Sequence, residues 1–177
     1  MTEAVQTYQE VAQSGPQFKK YLTFYVGKEE FALDIERVQE IIGLIDITRL
    51  PRTEDYVRGV INLRGKVIPV IDLRLRFGLP HQEDTVRTCF IVGEVVNTDG
   101  RLVRIGLAVD EVAEVVDLDG RNIQDTGEFA ANLHGEFVQG IGLIGEEVKL
   151  LLDLDKVISA NQAELLTRMA QAKSRMG

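Results

Sequence analysis

The chain has 177 residues, of which 45% are hydrophobic and 27% charged, and its formal net charge is −8. That length suits one domain or two small domains that pack closely, and the acidic balance argues against general nucleic-acid binding, which needs a basic surface. The polar N-terminus has no signal-peptide core, no apolar run approaches the roughly 20 residues of a membrane span, and the single cysteine, Cys89, excludes an internal disulfide, so we expect a cytoplasmic protein.

Short strand-like segments dominate the first half of the chain, after residues 1–17, which are expected to form a flexible N-terminal tail. Alternating apolar and polar residues predict strands, and glycine-containing turns between them predict hairpins. The predicted elements are strands over 20–26 and 31–35, an isoleucine- and valine-rich segment over 37–44, a short helix from Pro51 to Val57 stopped by Gly59, and a hairpin of strands 60–63 and 67–71. Asp72 is expected to cap a short helix that ends near Gly78.

The second half of the chain follows the same order. Its predicted elements are strands over 88–95 and 102–109 around the turn Asn97–Gly100, a strand over 112–116, extra length over 120–132, a hairpin of strands 137–143 and 148–152, and a helical turn capped by Asp153. A long amphipathic helix is predicted over 161–176, with Leu165, Leu166 and Met169 on one side.

This shared order reflects an internal repeat. The segment Leu33–Ile42 returns as Leu107–Val116, and Tyr56–Val60 returns as Phe137–Ile141, so the second copy carries extra residues between the two blocks. About five short strands per copy predict two small antiparallel barrels that pack on each other, because each alone is small for a stable core. We expect the barrels to lie roughly within residues 18–86 and 87–159, although strands can cross between them.

The chain contains the pattern G-x-G-x-x-G from Gly140 to Gly145, which in dinucleotide-binding proteins joins a strand to a helix. Here Glu146 and Glu147 place negative charge where a phosphate would lie, and the next segment is a strand. A glycine-rich hairpin is therefore the favoured interpretation, and a small nucleotide-binding protein or enzyme using this loop is the alternative.

The sequence has few residues arranged for metal binding or for nucleophilic catalysis. His81 and His134 have no second histidine or cysteine at ligand spacing, and Asp117–Gly120 has its glycine at the wrong position for a calcium loop. Cys89 lies in an apolar strand, which predicts a buried structural thiol. We therefore expect no catalytic residue, no metal and no cofactor.

Charge is distributed unevenly along the chain. Residues 49–76 carry seven basic side chains against three acidic ones, whereas residues 107–155 carry twelve acidic side chains against two basic ones. Such asymmetry fits two different protein partners or two solvated faces that diverged. A nucleic-acid-binding barrel using residues 49–76 is a further alternative.

The hairpin Asn62-Leu63-Arg64-Gly65 differs from its counterpart, Leu143-Ile144-Gly145-Glu146, in presenting an arginine. An arginine in a turn can hold a partner's carboxylate through two parallel hydrogen bonds. The alternatives are a solvated turn arginine or an internal ion pair with Glu40 or Asp72.

The sequence around this hairpin resembles the bacterial chemotaxis coupling proteins, the CheW family. The run GVINLRGKVIPVIDLR from Gly59 to Arg74 carries the resemblance, which continues through Phe31–Ile41, Gly106–Val112 and Gly140–Gly142 and covers roughly residues 18–159. It implies a mainly β fold of two packed five-stranded SH3-like β-barrels, with short helical turns and a C-terminal α-helix within 160–177.

The resemblance also implies a scaffold without enzymatic activity. Such a protein bridges the cytoplasmic tips of chemoreceptors (methyl-accepting chemotaxis proteins) and the regulatory domain of the chemotaxis histidine kinase, which has the same double-barrel fold. The receptor tip is a helical hairpin, expected to lie in the groove between the barrels. The scaffold is recruited to receptor arrays at the membrane without inserting into it. The length leaves no room for a kinase or receiver module, so the chain is expected to be a stand-alone coupler.

Five positions are implied by motif match to bind receptor or kinase: Val38, Glu40, Gly59, Asn62 and Arg64. For Gly59, backbone geometry is an alternative explanation, because glycine adopts conformations closed to other residues. Val38 is expected to belong partly to the core.

Overall fold

The computed structural model of the chain describes residues 18–125 and 135–176. The predicted tail over 1–17 and the segment 126–134, with His134, lie outside the described residues. The strands in the described part are β1 (Lys19–Val26), β2 (Glu29–Asp34), β3 (Val38–Gly43), β4 (Val57–Leu63), β5 (Lys66–Asp72), β6 (Cys89–Val96), β7 (Leu102–Val109), β8 (Glu111–Leu118), β9 (Ile123–Gln124), β10 (Val138–Ile144) and β11 (Glu147–Leu152).

The helices are few and mostly short, as predicted. They are α1 (Leu73–Arg76), α2 (Leu154–Val157) and α3 (Ala160–Met176), with 3-10 turns at Ile35–Arg37 and Gly135–Phe137. Asp72 caps α1 as predicted, because its Oδ1 accepts a hydrogen bond from the Leu75 amide at 3.2 Å. Its counterpart, Asp153, lies at the same position before α2 but makes no capping hydrogen bond with its side chain.

The strands form two sheets, which confirms the predicted mainly β fold. One sheet has five strands in the order β3-β6-β7-β5-β4, and the other has six in the order β8-β1-β2-β11-β10-β9. The sixth strand of the second sheet is the two-residue β9. We call the five-stranded unit barrel I and the six-stranded unit barrel II.

Each barrel combines strands from both copies of the repeat. Counterpart strands are β1 and β6, β2 and β7, β3 and β8, β4 and β10, and β5 and β11, so barrel I joins β3–β5 of the first copy to β6–β7 of the second. Barrel II receives the first hairpin, β1–β2, in exchange. The division near residues 86 and 87 therefore separates the two sequence copies, whereas barrel I is continuous from 38 to 109 and barrel II is built from both ends of the chain.

Because of this strand exchange, the same residue pairings recur in the two barrels at positions related by the repeat. In barrel I the parallel strands β5 and β7 pair Val70 with Gly106, and in barrel II β11 and β2 pair Leu151 with Ala32. The antiparallel hairpins β4–β5 and β10–β11 carry a register shift at the same place, between Val57 and Gly59 in one and between Val138 and Gly140 in the other.

The core consists of three clusters. The interior of barrel I contains Ile61, Ile68, Val70, Phe90, Val92 and Ala108, and both Ile42 of β3 and Leu63 of β4 pack against it. Because β3 and β4 are the two ends of the strand order, this packing closes the sheet into a barrel. A smaller cluster, Tyr21, Ala32, Leu118 and Leu151, fills barrel II, and the largest cluster draws on both barrels.

One local prediction was wrong, and the predicted apolar face of α3 was wrong for Leu165. Residues 51–57 form no helix, because Thr48 pairs with Val60 across the sheet and turns lead directly into β4. Along α3 the buried residues are Ala160, Ala163, Leu166 and Ala170, and Met169 packs against the core, whereas Leu165 is 58% exposed. The buried residues are three or four positions apart and form one face of the helix, and Leu165 lies outside that face.

The loop Gly140–Gly145 lies on the hairpin of β10 and β11, as the favoured interpretation predicted. A strand rather than a helix follows it, so this loop does not have the strand-to-helix geometry of a dinucleotide site. No helix in the described part of the chain combines the length and apolar character needed to cross a membrane.

Candidate functional site

The tip of the β4–β5 hairpin is a tight two-residue turn. Arg64 and Gly65 both have positive φ angles, +52° and +83°, as a type I′ turn requires. The Asn62 side-chain oxygen accepts a hydrogen bond from the Gly65 amide at 2.9 Å. The side chain of Asn62 therefore fixes the turn, and the Arg64 backbone is held in a conformation that non-glycine residues seldom adopt.

Arg64 forms an ion pair with Glu40, one of the two internal alternatives predicted from the sequence. A terminal guanidinium nitrogen, Nη2, donates to Oε1 of Glu40; the side chain of Arg64 is 68% exposed and that of Glu40 only 16%. Glu40 lies on β3 and Arg64 at the end of β4, the two ends of the strand order. The pair therefore joins the hairpin tip to β3 where barrel I closes.

Asp72, the other internal partner considered for Arg64, is used elsewhere. Arg58 Nε lies 2.9 Å from Asp72 Oδ2, and Nη1 of the same guanidinium lies 2.9 Å from Asp84. Burial by itself lowers the pKa of Arg58, but the charges and hydrogen bonds of both carboxylates outweigh it, so the pKa is raised. Arg58 stays cationic and holds the base of the hairpin to the segment that leads from α1 to β6.

Gly59 and Val38 are buried beneath the surface residues of the site. Gly59 has φ +137°, and a Cβ atom there would collide with the backbone oxygen of Thr48 and lie 2.8 Å from the Thr48 carbonyl carbon. Glycine is therefore required for the close approach of β4 to the 47–48 segment. Val38 is 3% exposed and belongs to the cluster between the barrels.

The five predicted site residues lie on β3 and on the β4–β5 hairpin, and among them the structure shows a direct side-chain contact between Glu40 and Arg64. Val38 and Gly59 are buried, Asn62 is committed to the turn, and Glu40 and Arg64 carry the charge that reaches the surface. An apolar cleft of about 320 Å³ adjoins Asn62, lined also by Leu50, Val67 and Ala170.

Arg37, beside the site, is a residue that no sequence pattern indicated. Its guanidinium donates to the backbone oxygen of Glu94 in barrel I at 3.0 Å and pairs with Asp155 of α2 at 2.9 Å. It therefore joins barrel I to α2 next to β3. Its position in a short turn between two strands gave no local signal, because both partners are distant in sequence.

Within the described residues no three histidine, cysteine, aspartate or glutamate side chains come together as metal ligands would. The Asp117–Gly120 segment forms the end of β8 and a turn, in which Asp119 pairs with Arg121 at 2.9 Å. Cys89 is half-buried rather than fully buried; burial raises the pKa of its thiol, and a backbone hydrogen bond from Val112 partly opposes this.

The similarity to known proteins extends over the whole double barrel. The family model of the CheW-like domain matches residues 20–162. The chain is 36% identical over 157 residues to the chemotaxis protein CheW of Klebsiella aerogenes, covering 87% of this chain and 90% of that protein. It is 36% identical over 146 residues to the chemotaxis protein CheW of Rhizobium meliloti, covering 82% of this chain and 91% of that protein.

A solved structure shares the fold. The scaffolding protein TtCheW from Thermoanaerobacter tengcongensis is 33% identical and superimposes with a TM-score of 0.72, covering 81% of this chain and 94% of that chain.

Proposed function

Because this chain belongs to the CheW family, we propose that it couples the cytoplasmic tips of chemoreceptors to the chemotaxis histidine kinase. The family consists of chemotaxis scaffold proteins and not of enzymes, and this chain is accordingly a chemotaxis adaptor. The observation that carries the proposal is the match to the CheW-like domain over residues 20–162, with CheW relatives that align along almost their full length.

We place the coupling surface around the closure of barrel I, at Val38, Glu40, Gly59, Asn62 and Arg64. The geometry supports three separate roles within it. Gly59 and Asn62 fix the position of the hairpin tip. Val38 packs β3 against the core, and Arg64 presents the exposed charge. Since the ion pair with Glu40 uses one terminal nitrogen of Arg64, other guanidinium hydrogens are available to a partner's carboxylate.

The mechanism of such an adaptor is positional. In this proposal it holds the kinase regulatory domain, itself a double barrel, beside the helical hairpin of the receptor tip, and the assembly is recruited to receptor arrays at the membrane. A receptor that favours one arrangement shifts the kinase between states by the difference in binding free energy. Many weak contacts in an array add up to a stable assembly.

The test is direct binding of the purified chain to a receptor cytoplasmic fragment and to the kinase regulatory domain, measured separately for each partner. We expect the wild type to bind both and Arg64→Glu to lose affinity for at least one. Arg87→Glu is the matched control, because Arg87 is also exposed and lies in the segment before β6, away from the hairpin.

Binding of neither partner by the wild type would refute the proposed function. Normal binding of both partners by Arg64→Glu would leave the family assignment in place but remove Arg64 from the coupling surface.

A further inference from the structure

The two barrels carry inverted charges at one counterpart site. In barrel II, Lys149 of β11 lies beside Glu30 of β2 and near Glu147, which begins β11. In barrel I the counterpart of Lys149 is Ile68, and the counterparts of the two glutamates are Arg104 and Lys66. Ile68 and Arg104 each lie two residues before the paired Val70 and Gly106, just as Lys149 and Glu30 each lie two residues before the paired Leu151 and Ala32.

The barrel II site is internally complete. The Lys149 side chain is 2% exposed, and its ammonium group forms ion pairs with Glu30 and, at 3.0 Å, with Glu147. Burial by itself lowers the pKa of Lys149, but the two glutamates outweigh it and raise the pKa above its ordinary value. The buried ammonium group is therefore compensated by the largely buried Glu30 and by Glu147, whose side chain is exposed.

The barrel I site has the two outer cations but no anion between them. Lys66 is exposed and forms no ion pair with any residue in the described part of the chain. The one ion pair that Arg104 makes there is long, with 3.9 Å between its Nε and Glu94 Oε1. Since Ile68 supplies no charge, both cations lack the compensation that their counterparts have in barrel II.

Lys66 and Arg104 line a groove of about 740 Å³ between barrel I and α3. Its wall includes Val67 and Leu102, and Leu102 is 63% exposed. Arg101 adds a third cation, at 3.6 Å from Glu164, and Glu164 is also paired with Arg168 at 3.1 Å. Glu94, the other acid on the wall, accepts a hydrogen bond from Gln39 and makes only the long pair with Arg104. Among the described residues, Lys66 is therefore the wall cation that has no carboxylate partner, and Arg104 has only a distant one.

We propose that this groove is a docking site for a segment of a partner protein that presents an acidic side chain beside a leucine-sized one. The carboxylate lies between Lys66 and Arg104 and completes, with opposite signs, the arrangement seen in barrel II. The apolar side chain covers Leu102 and Val67. The groove adjoins the hairpin that carries the Glu40–Arg64 pair, but its cations are different residues, and the proposal does not depend on the coupling function proposed above.

The probe is a blocked hexapeptide of alternating leucine and glutamate, with a second peptide in which glutamine replaces glutamate. Each is titrated into the full ¹⁵N-labelled chain while amide resonances are followed by NMR. We expect the glutamate peptide to shift the amides of Lys66, Val67 and Arg104, and to bind about tenfold more tightly than the glutamine peptide. Added salt should weaken this difference.

The double variant K66Q/R104Q should bind the glutamate peptide about tenfold more weakly. The control K28Q/R87Q removes the same charge from other exposed positions and should leave binding unchanged. If K66Q/R104Q does not fold, judged by its thermal unfolding transition, K66Q alone serves. Equal affinity for both peptides, or shifts confined to other surfaces, would overturn the proposal.

Discussion

Arg76 donates a hydrogen bond from its Nε to the backbone oxygen of Val157 at 2.8 Å, and these two residues are counterparts in the internal repeat. The same guanidinium lies 4.6 Å from the ring centroid of Tyr56 and 4.7 Å from that of Phe137, which are counterparts as well. These contacts bring counterpart residues of the two copies close together. Arg76 therefore connects the two barrels where they pack against each other.

Replacing Arg76 with methionine should lower the free energy of unfolding by roughly 2 kcal/mol, because two cation–π contacts and a charged hydrogen bond are lost while apolar volume is kept. Urea unfolding followed by tyrosine fluorescence measures this. Arg87→Met, at an exposed arginine, should stay within about 0.5 kcal/mol of the wild type. If the two variants had the same free energy of unfolding, the contacts of Arg76 would not stabilise the fold.

Gly59→Ala should destabilise the chain by roughly 3 kcal/mol or more, because the new Cβ meets the rigid Thr48 backbone and φ is +137°. Gly140→Ala, at the counterpart position, should cost less, since its nearest neighbour is the Ile123 side chain at 3.3 Å. Gly43→Ala, with open space around it, should be close to neutral. Thermal unfolding of the three variants gives the order, and a neutral Gly59→Ala would refute the close approach.

The exchange of charges in Glu40→Arg/Arg64→Glu should separate the structural from the partner-binding role of the pair. Because Arg64 is mostly exposed, the pair adds at most about 1 kcal/mol to stability, and the exchange should restore what Arg64→Glu loses. Binding to an acidic partner should stay impaired, because the exposed charge remains inverted. Recovery of binding together with stability would show that Arg64 acts by positioning the hairpin only.

Lys149→Met should destabilise barrel II by roughly 3 kcal/mol at neutral pH, because the largely buried carboxylate of Glu30 would lose the cation that compensates its charge. Adding Glu30→Gln should recover part of the loss by removing that charge. Chemical unfolding of both variants provides the comparison. If Lys149→Met alone were as stable as the wild type, the ion pairs of Lys149 would have no structural role.

The raised pKa of Lys149 also predicts a dependence on alkaline pH. A group whose pKa is higher in the folded state stabilises that state fully below the unfolded pKa and loses this contribution as pH rises through the folded value. Wild-type stability should therefore fall more steeply than that of Lys149→Met as the pH rises above the ordinary lysine pKa of 10.5. Parallel stability curves for the two proteins would contradict the shift.

Cys89 should react slowly with thiol reagents in the folded chain. Burial raises the pKa of its thiol, so the reactive thiolate is scarce near neutral pH. Reaction with an aromatic disulfide reagent should accelerate markedly when urea unfolds the protein. Equal rates before and after unfolding would show that the thiol is freely accessible.

Much of the fold could be predicted from the sequence because the repeat and the hairpin turns are local signals. Gly65 and Gly145 identify the two equivalent turns, and comparing the copies shows that Gly140–Gly145 is a hairpin rather than a nucleotide loop. The segment 51–57 was predicted wrongly because Pro51 and Thr53 resemble a helix start, whereas pairing of Thr48 with Val60 holds this stretch beside the sheet. Long-range pairing overrode a weak local preference.

The sequence by itself determined two similar modules, the order of their strands, the single-arginine difference between their hairpin tips and the family to which the chain belongs. Only the tertiary structure decided that each copy gives its first hairpin to the other barrel, so that Lys149 opposes Glu30 while Lys66 and Arg104 share a groove. The physical reason is that alternation and turns specify strands within one copy. The choice between equivalent partner strands depends on packing between residues that are distant in the chain.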